Sequence, residues 1–251
     1  MIRTELLSRA DSLLSRREPF VLATVVRVER PASAKPGDCA LVQADGTLYG
    51  FAGGECAEAT VRSQAAAQLA AGESILLRIT PGAGSVVSSD GLVTVPNHCL
   101  SGGTIDVFLE VVRPPMLILV YGDTPIARAL RDVARAAGWD APPSPGAGLA
   151  AAVVVASHGG DEVAVLRAAL DAGVPYVGLV ASRKRGASVA ESLELTEAER
   201  ERFHTPAGLD IGAHGPGQIA VSILAEIVAV IPDSYLLGGQ PPVPPDYTRE
   251  L

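Results

Sequence analysis

The chain has 251 residues, of which 48% are hydrophobic but only 4% aromatic, and it carries a formal net charge of −8. That length suits two modest domains or one large α/β domain with a core of aliphatic side chains. The negative charge argues against a nucleic-acid partner, because phosphate binding relies on clustered lysines and arginines. Three cysteines without a Cys-x-x-Cys pair argue against a structural zinc site and against a disulfide framework.

The first residues, MIRTELLSRADSLLSRRE, are charged throughout and lack the apolar stretch of a signal peptide. No apolar run approaches the roughly 20 residues that span a bilayer. We therefore expect a cytoplasmic protein without a membrane span.

Residues 1–113 predict a mixed α and β domain. Its predicted elements are a helix over 2–14, a strand over 20–29, a hairpin over 39–51, a helix over 56–72 and strands over 73–80 and 104–112. Asp45-Gly46 supplies the hairpin turn, and Gly72 is a good residue to end the second helix. The segment 81–103 is rich in Gly and Ser, and we expect it to be a long functional loop.

Residues 114–232 alternate strands and helices, which is typical of βαβ units and a parallel sheet. The place of the second strand is taken by WDAPPSPGAG, which reads as a loop. We therefore predict an α/β protein whose N-terminal α+β domain is followed by a Rossmann-like parallel domain with a reduced second strand. Residues 233–251 form a Pro-rich tail.

A glycine pair and a cysteine, Gly53-Gly54-Glu55-Cys56, open the second predicted helix. A thiol in a first helical turn lies at the positive end of the helix dipole, which favours the thiolate. The glycines let a ligand approach the backbone amides closely. Glu55 and Glu58 oppose a second negative charge there, and could instead accept protons or cap the helix. From these residues alone, Cys56 is either a presented thiol or a small buried filler.

The other two cysteines have different surroundings. Cys99 lies beside His98 in a polar loop, where a purely apolar role is hard to justify, so it is a second candidate thiol. Cys39 opens a predicted strand, and we expect it in the core.

The stretch YGDTPIARAL follows a strand and opens a helix, as a dinucleotide-binding turn does. Of the fingerprint glycines only Gly122 is present, because Thr124 and Ala127 stand at the other two positions. Asp140 is at about the right distance to be the ribose-binding acid, but it lies in a loop-like context. Dinucleotide binding in the usual pose is therefore not supported.

Polar residues also follow two other strands of this domain. His158, Arg183 and Arg185 lie at predicted strand ends, where an anion could be held. The alternative is a helix cap and a solvated basic turn.

Several longer stretches carry a family resemblance. They are FVLATVVRVERPASAKPGDCALVQADGTLYGFAGGECAEA and SGGTIDVFLE in the first half, and SHGGD, YVGLVASRKR and HTPAGLDIGAHGPGQIAVSILAEIVAV in the second. On these stretches the chain resembles, over nearly its whole length, the XdhC/CoxI family, which includes CoxF. Members of that family mature molybdenum-cofactor enzymes such as xanthine dehydrogenase and aerobic carbon monoxide dehydrogenase.

The resemblance implies a first domain with a Gly-Gly-x-Cys motif and a second, Rossmann-like domain. Carried onto this sequence, the motif is Gly53, Gly54, Glu55 and Cys56, with Glu58 beside it. Cys56 and Glu58 would then be the catalytic pair. The Cys56 thiolate would ligate molybdenum or carry a sulfane sulfur, while the amides of the turn would bind the pterin phosphate.

A second family cysteine directly precedes a Gly-Gly pair. Ser101 stands at that place here, before Gly102 and Gly103, and Cys99 lies two residues earlier. We expect these four residues to line the cofactor site. The further cofactor-binding residues that we predict are Gly122, His158 and Arg183.

The implied function is that of a maturation factor rather than a turnover enzyme. It would bind molybdenum cofactor (molybdopterin) or a precursor, support its sulfuration and deliver it to a molybdenum hydroxylase client, with a cysteine desulfurase as a further partner. We expect a homodimer, the commonest assembly. Two alternatives stay open: an oxidoreductase-like protein that binds FAD or NAD(P), and a cofactor-free module that recruits the desulfurase or the client.

Overall fold

The computed structural model describes residues 2–97, 103–143, 150–157, 159 and 161–231. It divides into two compact units, with the boundary between Pro114 and Pro115. The first unit mixes helices with a largely antiparallel sheet, and the second is a parallel α/β unit. The predicted fold class is therefore confirmed. Among the described residues, no helix combines the length and apolarity needed to cross a bilayer.

The first unit is built around one seven-stranded sheet. Its elements are α1 (Ile2–Ser15), β1 (Phe20–Glu29), β2 (Cys39–Gln43), β3 (Leu48–Gly50), α2 (Glu55–Ala71), β4 (Ile75–Pro81), β5 (Val87–Ser89), β6 (Leu92–Asn97) and β7 (Thr104–Val112). The strand order is β3-β2-β1-β7-β4-β6-β5, and every neighbouring pair is antiparallel except β4 with β6.

Helices cover parts of both faces of this sheet. Neighbouring residues of a strand point to opposite faces, so Val21 of β1 packs in the cluster that contains Val61 of α2. Phe20 and Leu41 point the other way and meet Leu13 of α1. Helix α2 ends at Gly72, whose left-handed backbone lets its N–H bond the Gln68 carbonyl.

The segment 81–103, predicted to be a loop, contains a hairpin instead. Ser89 pairs with Leu92, and the two residues between them, Asp90 and Gly91, both have positive φ. Two such residues in an Asp-Gly pair form the turn type that matches the twist of paired strands. The loop prediction is therefore wrong for β5 and β6. The high Gly and Ser content suggested a loop, whereas the Asp90-Gly91 pair forms the turn of a hairpin.

The second unit is a doubly wound sheet of four parallel strands in the order β11-β10-β9-β8. Its elements are β8 (Ile118–Tyr121), α3 (Pro125–Ala136), β9 (Ala152–Val155), α4 (Glu162–Asp171), β10 (Tyr176–Leu179), α5 (Arg183–Ser192), α6 (Glu197–Arg202), β11 (Phe203–His204) and α7 (Pro216–Val230). Residues of α3 and α7 pack on one face, and residues of α4 and α5 pack on the other. In the described part between α3 and β9, the pairing is one parallel bridge of Asp140 with Leu117, which agrees with the reduced second strand.

Candidate functional site

The two glycines of the turn before α2 differ in what their positions require. Gly53 has φ +127°, which L side chains rarely adopt, and a Cβ there would lie 2.8 Å from the Ala57 Cβ. Gly54 is the N-cap and has an ordinary extended backbone, but a Cβ would lie 3.4 Å from the Ser33 Oγ. Gly53 thus sets the direction of the chain, and Gly54 keeps the space over Ser33 open.

Cys56 lies exposed in the first turn of α2, so it is not a buried filler of the core. Glu55 beside it is also exposed. Glu58 is directed along the helix, with its Oε2 3.5 Å from Arg62 Nη2. Since residues two apart on a helix do not face each other, Cys56 and Glu58 are neighbours in sequence but not a facing pair. Cys39 is half-buried and packs beside the α1 cluster, as expected.

The structure brings Gly54 and Gly103, which are far apart in sequence, to one small cavity of about 50 Å³. A Cβ on Gly103 would lie 2.2 Å from the Pro31 carbonyl oxygen, so only glycine fits where the chain enters β7. Ser33 and Thr80 add hydroxyl groups to the same cavity. This cavity is far smaller than the roughly 300–1,000 Å³ of a typical small-molecule pocket.

Three predicted residues of this region, Cys99, Ser101 and Gly102, lie outside the described residues, as does His158 of the second unit. Sequence reasoning missed Ser33 and Thr80 at the cavity. Their only local signal was a polar side chain near a strand end. Within the part of the chain that the structure describes, no group of three or more His, Cys, Asp or Glu side chains is placed to hold a metal ion.

In the second unit, an open cleft of about 470 Å³ lies at the carboxyl edge of the sheet. It is lined by Thr124, Ser157, Ser182 and Arg185, which follow β8, β9 and β10. The predicted Gly122 packs against β9 instead, since a Cβ on it would lie 2.4 Å from the Ala156 carbonyl oxygen.

The predicted Arg183 lies in a neighbouring cleft of about 390 Å³ rather than in the first one. Its Nη2 is 3.8 Å from the Asp210 Oδ2, and both side chains are 88% exposed. Solvent screens such a pair, so Arg183 is a surface charge at the rim of that cleft.

A buried carboxylate, Glu162, organises one wall of the first cleft. Its oxygens accept hydrogen bonds from the Ser157 hydroxyl at 2.6 Å, from the Gly159 amide at 3.1 Å and from the Arg185 guanidinium. Burial works to raise the pKa of Glu162, but the hydrogen bonds from Arg185, Ser157 and Gly159 outweigh it and hold that pKa below its usual value. Glu162 is therefore an ionised residue that fixes Arg185 at the cleft.

A second buried group, which sequence reasoning missed, holds the chain after β11. The Tyr176 hydroxyl and the Gly208 amide donate to the same Glu226 oxygen at 2.6 and 2.7 Å. The His204 ring stacks on Tyr176 with centroids 4.4 Å apart, and burial lowers the pKa of His204 against a smaller opposing effect of Glu226. Glu226 thus joins the neutral His204 and Tyr176 pair to the chain after β11. Tyr176 and Glu226 are 50 positions apart in sequence, so no local pattern predicts this contact.

Two family models match the chain. The model described as XdhC and CoxI family matches residues 13–80, and the model described as XdhC Rossmann domain matches residues 118–227. Together these ranges cover about seven tenths of the 251 residues.

Similar proteins occur in three bacteria. In Escherichia coli (strain K12), "Uncharacterized protein YqeB" is 27% identical over 89% of this chain and 46% of its own length, and "Molybdenum cofactor insertion chaperone PaoD" is 24% identical over 91% and 88%. A protein of Bacillus subtilis (strain 168) that is named as a probable xanthine dehydrogenase component is 35% identical over 31% of this chain and 22% of its own length. The chain thus spans about half the length of YqeB. A crystal structure described as a xanthine dehydrogenase from Bacillus halodurans is 16% identical, with a TM-score of 0.42 over 92% of this chain and 99% of that one.

Proposed function

Because the chain belongs to the XdhC and CoxI family, we propose that it is a maturation factor that carries molybdenum cofactor, or a precursor, to a molybdenum hydroxylase. Support comes from its likeness to PaoD, whose name describes a molybdenum cofactor insertion chaperone and which aligns over 91% of this chain and 88% of its own length. The clients we propose are enzymes of the xanthine dehydrogenase type, aerobic carbon monoxide dehydrogenase included. We further propose that the protein acts in the cytoplasm as a homodimer.

The observation that carries the proposal is the exposed Cys56 thiol in the first turn of α2. The helix dipole favours both a thiolate and a bound anion at this place, and thiolates are ligands for soft metals. The pterin would lie over the mouth of the cavity between Gly54 and Gly103, with Cys56 as an added ligand of its molybdenum. Glu55 and Glu58 limit the negative charge that the site accepts. Because Glu58 does not face Cys56, it would take up the thiol proton through an intervening water.

We propose that the same thiol serves in sulfuration. The Cys56 thiolate attacks the outer sulfur of a persulfide on a cysteine desulfurase, so that a new S–S bond forms on Cys56 and the donor leaves as a thiolate. A second thiol then attacks the inner sulfur of the Cys56 persulfide, forms a disulfide with it and releases hydrosulfide. The two electrons that reduce the sulfur come from these thiols.

The test is transfer of cofactor to a client. The purified chain is loaded with molybdopterin and molybdate and mixed with the cofactor-free form of a xanthine dehydrogenase-type hydroxylase, and molybdenum in the client is measured. We expect the unaltered chain and the half-buried control Cys39→Ala to load the client equally, and Cys56→Ala to load it about tenfold less. Equal loading by Cys56→Ala, with its fold verified by circular dichroism, would remove Cys56 from the proposal.

A further inference from the structure

Parallel α/β units of this kind commonly hold a dinucleotide at the carboxyl end of the first strand, which is β8 here. We infer that this chain binds no dinucleotide there, although the cleft beside Thr124 is open. Thr124 uses an amide that the pyrophosphate would need, and Arg131 occupies the strand edge beside which the ribose would lie. The inference concerns the second unit alone and does not depend on the function proposed for Cys56.

Thr124 takes up hydrogen-bond donors that a pyrophosphate would need, and its side chain stands where a dinucleotide turn has bare backbone. Its hydroxyl donates to the Ala156 carbonyl oxygen at 2.8 Å, which ties the end of β8 to the end of β9. The Thr124 hydroxyl oxygen also accepts from the Ala127 amide at 3.2 Å, so one of the first amides of α3 is already used. Pro125 has no N–H, and the Arg128 amide bonds the Thr124 carbonyl inside the helix. At most the Ile126 amide of the first turn is left for a phosphate oxygen.

Gly122 is required at this turn by packing within the protein rather than by a ligand. Its φ of +107° matches the tight turn of a dinucleotide site, but the space where its Cβ would lie is filled by the Ala156 carbonyl. The close approach to the chain after β9 therefore accounts for this glycine without a bound phosphate.

Arg131 of α3 lies at the edge of β8 where, among the described residues, only Asp140 pairs as a second strand would. Alternate carbonyls of a strand point to opposite sides. Since the Tyr121 oxygen accepts from Ala156 on the β9 side, the Val120 and Gly122 oxygens face the opposite edge of β8. Both accept a hydrogen bond from Arg131 Nη2 at 2.7 Å, and Arg131 is only 7% exposed. Its guanidinium thus lies beside the turn, on the side of β8 from which a second strand would supply the ribose-binding acid.

Asp140, the acidic residue at about the expected sequence distance from Gly122, lies at the amino end of β8 rather than near the turn. The Asp140 amide donates to the Met116 oxygen at 2.7 Å, and its carbonyl accepts from Ile118 at 2.9 Å. Asp140 therefore pairs opposite Leu117, at the amino end of β8. Five residues of strand, on the order of 16 Å, separate that position from Gly122, so Asp140 cannot reach a ribose hydroxyl at the turn.

The test is titration of the full chain with NADH, NADPH and FAD, followed by fluorescence and calorimetry. It is repeated on Thr124→Glu, which adds a negative charge at the turn, and on Ser192→Glu, which adds the same charge at the exposed far end of α5, outside the cleft. We expect no saturable binding, or binding that Thr124→Glu leaves unchanged because the ligand lies elsewhere. A dinucleotide that binds with a Kd below about 100 μM, and about tenfold more weakly to a folded Thr124→Glu, would overturn the inference. Ser192→Glu controls for the added charge, and the inference is overturned only if that variant keeps the affinity of the unaltered chain.

Discussion

Replacing Arg131 by methionine should destabilise the second unit far more than its place in an amphipathic helical pattern suggests. The change removes the donor of a buried hydrogen bond to the Val120 carbonyl of β8 and of a part-buried one to the Gly122 carbonyl just after it, each 2.7 Å long. An unpaired buried carbonyl costs about 1–3 kcal/mol. Part of that cost is offset, because Arg131 Nε has no hydrogen-bond partner among the described residues and its charge no longer has to be buried. We therefore expect a loss of about 2–4 kcal/mol in the free energy of unfolding.

The chain offers a direct assay and a matched control. Its single tryptophan, Trp139, packs against the core that α3 and α7 share, so its fluorescence reports unfolding of the second unit in urea. The control is Arg128→Met on the same helix, where the side chain is 58% exposed and lies 3.4 Å from the still more exposed Asp123. Exposed substitutions of this kind change stability by about 0.5 kcal/mol or less. Equal urea midpoints for the two variants would refute the role of Arg131 at the β8 edge.

Two further predictions concern residues that set the candidate sites. The pKa of Glu162 is lowered in the folded protein, so its ionisation stabilises the fold above an unfolded pKa of about 4.3, and this contribution is lost as the pH falls further. Glu162→Gln should therefore have a lower urea midpoint than the unaltered chain at pH 7, and the difference between the two midpoints should narrow at pH 3. A difference that does not change with pH would contradict this. Gly53→Ala should lower the free energy of unfolding by about 1–3 kcal/mol, because Gly53 has a φ of +127°. Gly54→Ala should change the thermal midpoint little, because Gly54 has a φ of −69°. Equal losses of stability in the two variants would show that the positive φ is not what the turn requires.

Local chemistry was enough to predict the elements around Cys56. The Asp45-Gly46 turn, the helix that ends at Gly72 and the strand over 20–29 all follow from neighbouring residues, and the structure confirms them. The same chemistry at Asp90-Gly91 was present but overlooked within a Gly- and Ser-rich segment. Short-range signals thus predict elements well where the composition around them does not suggest a loop.

The parts that sequence reasoning missed depend on strand order and on side chains distant in sequence. Gly103 and Gly54 line the same cavity because β7 lies between β1 and β4 in the sheet. This spatial order differs from the order of the strands along the chain. Arg131 reads as an ordinary surface arginine of an amphipathic helix, and its partners become evident only once the fold places it at the edge of β8. Glu226 and Tyr176 are likewise joined by the packing of α7 rather than by any spacing.

The most direct test of the central claim is the ligand content of the purified protein. The unaltered chain, Cys56→Ala and Cys39→Ala are isolated in parallel from cells that make molybdenum cofactor. Absorbance spectra and mass spectrometry after gentle denaturation then identify what each holds. Our account predicts a molybdopterin species in the unaltered chain and in Cys39→Ala, and its loss from Cys56→Ala. A pterin held equally by all three, or by none, would contradict the account.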